Sequence, residues 1–230
     1  MDTLHTISII SLIISAACMV IIIVDIIAGH RQNMMIMNFV YPITALYAGL
    51  LALVVYYTIG RKTTSKAVKA AKANNKPPPS KQKPFWQSVG VGALHCGSGC
   101  TLGDILAETL LLFVPFFLFG RAIFGAWVVD YVFAFVIGII FQYYSIKPMK
   151  GLSPKQGLIA ALKADTLSLT SWQIGMYGWM AISTFLIFKH ELEASDPVFW
   201  FMMQIAMIFG FLTAYPVNWW LLRRKIKEVM

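Results

Sequence analysis

Long apolar runs separated by short polar segments dominate the chain. Six can be marked, at about 7–28, 36–59, 95–119, 124–145, 165–188 and 197–222, each near the roughly 20 residues a helix needs to cross a bilayer. The pattern predicts an all-α, polytopic membrane protein with six transmembrane helices. The connections at 29–35, 120–123 and 189–196 are short and predict helical hairpins. The connection at 60–84 is different. It carries Arg61, Lys62, Lys66, Lys69, Lys72, Lys76, Lys81 and Lys83 together with Asn74-Asn75 and Pro77-Pro78-Pro79, the composition of a flexible basic linker. It divides the chain into an N-terminal transmembrane hairpin (1–59), a cytoplasmic linker (60–84) and a four-helix transmembrane unit (85–230). Within that unit, 85–119 is too long for one straight crossing. Its first part, 85–94, opens on Phe85-Trp86 and contains Gly90 and Gly92, which suits an interfacial or re-entrant approach to the third span.

Composition agrees with this division. Hydrophobic residues make up 58% of the chain and charged residues 13%, too few charges to cover a soluble domain of this size, so the lipid bilayer is the expected partner. The net charge of +9 raises the question of nucleic acid, but Lys and Arg are concentrated in the segments between apolar runs and no nucleic-acid-binding signature is present. With 60–84 in the cytoplasm, 146–164 and the tail fall on the same side. All but Arg31, Arg121 and Lys189 of the 19 Lys and Arg residues then lie there. The positive-inside rule therefore predicts a multi-pass protein of the cell membrane with N- and C-termini both cytoplasmic. The first apolar run lacks a basic leader and reads as a span rather than a signal peptide.

The polar residues inside the apolar runs carry the chemistry. On a helix over 95–108, Cys96, Cys100, Asp104 and Glu108 recur every four residues and form one stripe. His95 flanks it. Gly99 and Gly103 would let a neighbouring helix approach closely, while Gly97 and Gly99 also permit a partly unwound turn. A carboxylate at mid-membrane costs about 2.5–3.5 kcal/mol on insertion scales, so such residues face the interior and find partners there. Gln142, Tyr143, Lys163, Asp165, Ser168, Ser171, Thr213, Tyr215 and Asn218 fall at matching depth. Asp104 can pair with Lys163, and Asn218 can hydrogen-bond a carboxylate. Together they predict a polar chamber toward the cytoplasmic side.

Three chemistries suit the stripe. Cys96 and Cys100 with His95 suit a soft or borderline ion, Cu(I) or, less well, Zn(II). The two thiols also suit a redox dithiol, although the spacing departs from CxxC. The third reading is structural: buried cysteines behave as small apolar groups, and the carboxylates pair with Lys163 or hydroxyls. Asp25 and Asp130 fall in the outer halves of spans one and four, where they either reach water near the helix ends or join an outward polar path. Met34, Met35, Met37, Met176, Met180, Met202, Met203 and Met207 lie from mid-span outward. They serve either as packing filler or as thioether donors feeding copper from outside.

Several segments resemble a prokaryotic membrane family. They are His95-Cys96-Gly97-Ser98-Gly99-Cys100-Thr101-Leu102-Gly103-Asp104, Lys163-Ala164-Asp165-Thr166-Leu167-Ser168-Leu169, Gly175-Met176-Tyr177-Gly178-Trp179-Met180, and Tyr215-Pro216-Val217-Asn218-Trp219-Trp220. The resemblance is to the proteins grouped as domain of unknown function 4396, described as transmembrane copper-binding tetrahelical proteins, and it covers about residues 85–230. It implies His95, Cys96 and Cys100 as copper ligands, with Met176 and Met180 as further candidates. It implies no catalytic activity. The expectation is a Cu(I)-binding membrane protein for copper storage, delivery or transport. Asp104, Glu108, Asp165 and Asn218 would line the ion path or support the ligands, with Lys163 as charge partner. A copper donor or acceptor protein, a larger membrane complex and a homo-oligomer are the expected partners. An accessory structural subunit and a membrane thiol oxidoreductase are the alternatives.

Overall fold

The computed structural model describes residues 2–79 and 82–227, so Lys81 of the basic linker lies outside the described residues. The chain is all-α. The helices are α1 (Asp2–Ile27), α2 (Met37–Ala48), α3 (Leu50–Thr58), α4 (Ser65–Ala73), α5 (Phe85–Phe113), α6 (Ala122–Lys150), α7 (Pro154–Ala181) and α8 (Pro197–Arg223). A π-helical stretch, Ile182–Phe188, extends α7. Local chemistry sets several ends. Ser153 and Gln156 form a capping box with Pro154 in the first turn of α7. Asp196 caps α8 through the Val198 N–H at 2.8 Å, again with proline in the first turn. Gly151, with φ 61°, stops α6.

Four helices are long and apolar enough to cross a membrane: Thr3–Ile27, Phe85–Phe113, Ala122–Pro148 and Pro197–Arg223. Their outward faces carry large exposed apolar residues such as Ile13, Val24, Val132, Val136 and Leu212, a surface that suits lipid contact. Helix α7 is as long but more polar, and it packs against α6 and α8. Helices α5, α6, α7 and α8 form a four-helix bundle, with α1 and α2 laid against α8 and α2 also against α5.

Residues 36–59 do not form the expected second span. The chain reverses at Gly49 (φ 50°, ψ −123°), a backbone conformation open in practice only to glycine. The Tyr41 and Tyr56 rings meet at 5.4 Å, although 15 residues on one helix would separate them by about 22 Å at about 1.5 Å per residue. The tip of this α2–α3 hairpin lies beside Ser15, in the middle of α1. Both its ends return to the end of α1. Tyr56 Oη donates to Asp25 Oδ2 at 2.7 Å, and Arg61 Nη2 donates to Asp25 Oδ1 at 2.8 Å. Ser65 N–H donates to Arg31 C=O at 2.9 Å, and Gln32 bridges to Thr64. Residues 28–36 and 59–65 therefore share one end of the molecule, called here the linker end.

Other expectations change with this hairpin. Asp25 sits at the linker end in an ion pair with Arg61, not in an outer half-span. Met34, Met35 and Met37 line a cavity there with Lys83 and Tyr144; burial pushes the Lys83 ammonium down to about 8. The linker is partly folded, as a 3-10 turn over Gly60–Thr63 and then α4. Helix α5 is continuous from Phe85 to Phe113, with neither a re-entrant approach at 85–94 nor an unwound turn at the cysteines. The reversal lies instead in the α2–α3 hairpin.

Candidate functional site

Helix α5 is the axis of the polar interior. Cys96, Cys100, Asp104 and Glu108 lie on it one turn apart, and all are buried. They span about 18 Å at about 1.5 Å per residue. Small residues make this burial possible. A Cβ on Gly99 would lie 3.0 Å from Gly138 Cα, and one on Gly103 would lie 2.6 Å from Ala134 Cα, so α5 and α6 approach backbone to backbone. Helix α7 brings Asp165, Gln173, Met176 and Met180 to the interior, and Asn218 of α8 faces it near the linker end.

At the linker end Cys96 lies within hydrogen-bonding reach of both Asp165 and Cys100. Asp165 pairs with Lys227, whose Nζ donates to Asp165 Oδ1 at 3.3 Å and to Gly92 C=O at 3.2 Å. Both side chains of this pair are fully buried. Asn218 Nδ2 donates to Ser168 Oγ at 2.7 Å, while Asn218 Oδ1 has no hydrogen-bond partner.

Toward the opposite end, Asp104, Glu108 and Asp130 interact electrostatically with one another. Asp104 lies within hydrogen-bonding reach of Gln173 on α7. Glu108 and Asp130 line a cavity of about 400 Å³ with Met176, Tyr177, Met180 and Met203; Glu191 and Glu193 join it from the 189–196 loop.

The residues singled out from sequence thus separate into groups. Cys96, Cys100 and Asp165 come together, and Asp104 and Glu108 continue the same stripe. His95 does not join them. Neighbouring helical positions are about 100° apart, and its ring turns to α6, with Nε2 3.5 Å from Ser145 Oγ and an edge contact to Phe141. Met176 and Met180 belong to the cavity of Glu108, about three turns from Cys96. Lys163 is exposed and is not the charge partner of this interior; Lys227 takes that place because the chain after α8 folds back. Asn218 bonds a serine rather than a carboxylate. Among the described residues no three or more His, Cys, Asp or Glu side chains form a group that could hold a metal ion.

Lys227 was not legible in advance, since it sits in a basic tail indistinguishable from a membrane-flanking anchor. Gln173 was within reach of a periodicity argument, because it lies eight residues from Asp165 on the same face of α7.

A family model, Domain of unknown function (DUF4396), matches residues 85–227. The chain belongs to this family. The match spans α5 to α8 and ends at Lys227, so it contains both the α5 stripe and its partners; α1, α2 and α3 precede it. No curated protein and no solved structure matches the chain.

Removing one partner of a buried pair leaves an uncompensated charge, which typically costs about 3–5 kcal/mol. Lys227→Met is therefore expected to destabilise the full-length protein by that order, and Asp165→Asn in the same chain to restore most of the loss. Unfolding in mixed detergent micelles measures both; equal stability of the double and single variants would contradict the pairing.

Proposed function

We propose that this chain is a multi-pass protein of the cell membrane that binds Cu(I) between Cys96 and Cys100 and passes it along the interior face of α5. The observation that carries the reading is the pair of buried, free thiols one turn apart on a helix long enough to cross a bilayer, with Asp165 beside one and Asp104 a turn beyond the other. Soft thiolates select Cu(I), which is satisfied by two sulfur donors, whereas structural zinc requires four ligands. The donor set favours copper as cargo and makes His95 a neighbour rather than a ligand. Binding displaces thiol protons, and Asp165 is placed to accept one from Cys96. Met176, Met180 and Met203 supply thioethers beside Glu108 and Asp130, a cavity suited to collecting a soft cation before it reaches the thiols. The same polar chain without metal would be an accessory structural element, and metal content separates the two.

The hairpin geometry supports a revised membrane placement. With α1, α5, α6, α7 and α8 crossing and α2–α3 entering only to mid-depth, the linker end gathers every Lys and Arg except Arg121 and Lys189. That bias exceeds the one obtained with six spans, and it assigns the linker end to the cytoplasm. The C-terminus is then cytoplasmic and the N-terminus external, giving five crossings instead of six.

Full-length protein from copper-replete cells is expected to carry stoichiometric copper by mass spectrometry. Cys96→Ser and Cys100→Ser should each lose it, while Cys18→Ser and His95→Ala retain it. Copper-free wild type would refute the reading. For the placement, a membrane-impermeant maleimide on intact cells should label Thr3→Cys and spare Lys76→Cys until the cells are permeabilised; protection of both would restore the six-span arrangement.

A further inference from the structure

The inner end of the α5 face holds a cation already, and the cation is part of the chain. Residues 223–226 are exposed, yet Lys227 immediately after them is buried. Lys225 adopts φ 56°, and the N–H groups of Ile226 and Lys227 both donate to Leu221 C=O, at 3.0 and 3.3 Å. This reversal drops one lysine back between α5, α7 and α8. Its ammonium meets Asp165 Oδ1 and Gly92 C=O. The position of a Cβ on Gly92 lies 3.7 Å from Asn218 Oδ1 and 3.9 Å from Lys227 Cε, so both side chains approach α5 at the same glycine. Asn218 Oδ1 is a buried acceptor without a hydrogen-bond partner, and Asp165 has the Cys96 thiol as its further neighbour. Oxygen acceptors from α5 and α7 thus hold one positive charge, and an unused amide oxygen of α8 lies against the same glycine.

We propose that the pocket formed by Asp165, the Gly92 carbonyl and Asn218 is a monovalent-cation site, which Lys227 occupies as a tethered stand-in and vacates when a mobile cation arrives. The proposal rests on the reading of the α5 face as a cation path and adds its inner gate. Charge selects the class of ligand. Exchanging one ammonium for one monovalent ion preserves the balance of the buried carboxylate, whereas a divalent ion would leave a net charge in a medium that tolerates none. Position supplies the coupling. Cys96 is within reach of Asp165, so an ion leaving the thiols toward the linker end meets this pocket next. Withdrawal is local: it breaks the tail's few backbone hydrogen bonds and leaves the packing of α5, α7 and α8 intact. While Lys227 is seated, its charge repels any cation from the inner exit.

The test is Ag(I) entry into liposomes containing the full-length protein, with Ag(I) as a closed-shell monovalent probe. Lys227→Met is expected to raise entry by about tenfold, equivalent to about 1.4 kcal/mol off the barrier. Lys227→Met with Asp165→Asn should return to background, because the vacated pocket no longer attracts a cation. To separate gating from damage to the fold, Lys227→Arg, which keeps a positive charge at the end of the tail, should stay closed while Lys227→Met leaks. A folded Lys227→Met at the wild-type rate, a double variant as leaky as the single, or a Lys227→Arg as leaky as Lys227→Met would each overturn the gate. A copper-free wild type with the full leak pattern would overturn the thiol site and support the inner cation site independently.

Discussion

The cost of polar groups in lipid is the constraint on which the rest of this structure depends. Asp104, Glu108, Asp130 and Asp165 fall within helices whose outer surfaces are apolar, and each carboxylate exposed at mid-membrane would cost about 2.5–3.5 kcal/mol. Enclosure is the available solution, and it requires backbones to come together. The contacts of Gly99 with Gly138 and of Gly103 with Ala134 bring α5 onto α6 without intervening side chains, and the polar face of α7 then closes over the stripe. The bundle follows from this requirement: three helices meet along one polar line, while their remaining faces are left to the bilayer.

Enclosure does not neutralise every group. Asp165 has Lys227 and Asp104 has Gln173, but Asn218 keeps an unused oxygen and Asp104 also faces the carboxylates of Glu108 and Asp130. Buried polar groups without partners are destabilising, and here they lie with the α5 stripe along one line. The cavity beside Glu108 and Asp130 and the lysine-filled pocket beside Asp165 stand at the two ends of that line, with the thiols between them.

Sequence carried the long apolar helices and the stripe itself, because hydropathy and a four-residue repeat are local properties. It failed where tertiary contacts decide. Residues 36–59 are long and apolar enough for a crossing, and Gly49 resembles any glycine in a membrane helix; the reversal becomes visible only once Tyr56 and Arg61 are seen on Asp25. The same holds for charge partners. Matching depth makes Lys163 the expected partner of Asp104, but depth does not give direction: Lys163 is exposed, and the buried lysine, Lys227 of the folded-back tail, meets Asp165. His95 was grouped with Cys96 by adjacency for the same reason, although adjacent helical positions diverge.

In the proposed site two sulfurs of α5, Cys96 and Cys100, hold Cu(I) without the neighbouring imidazole of His95. X-ray absorption of the copper-loaded full-length protein tests it. The expected spectrum is Cu(I) with two sulfur neighbours and no imidazole scattering, unchanged in His95→Ala. A first coordination sphere containing imidazole, or one without sulfur, would contradict it.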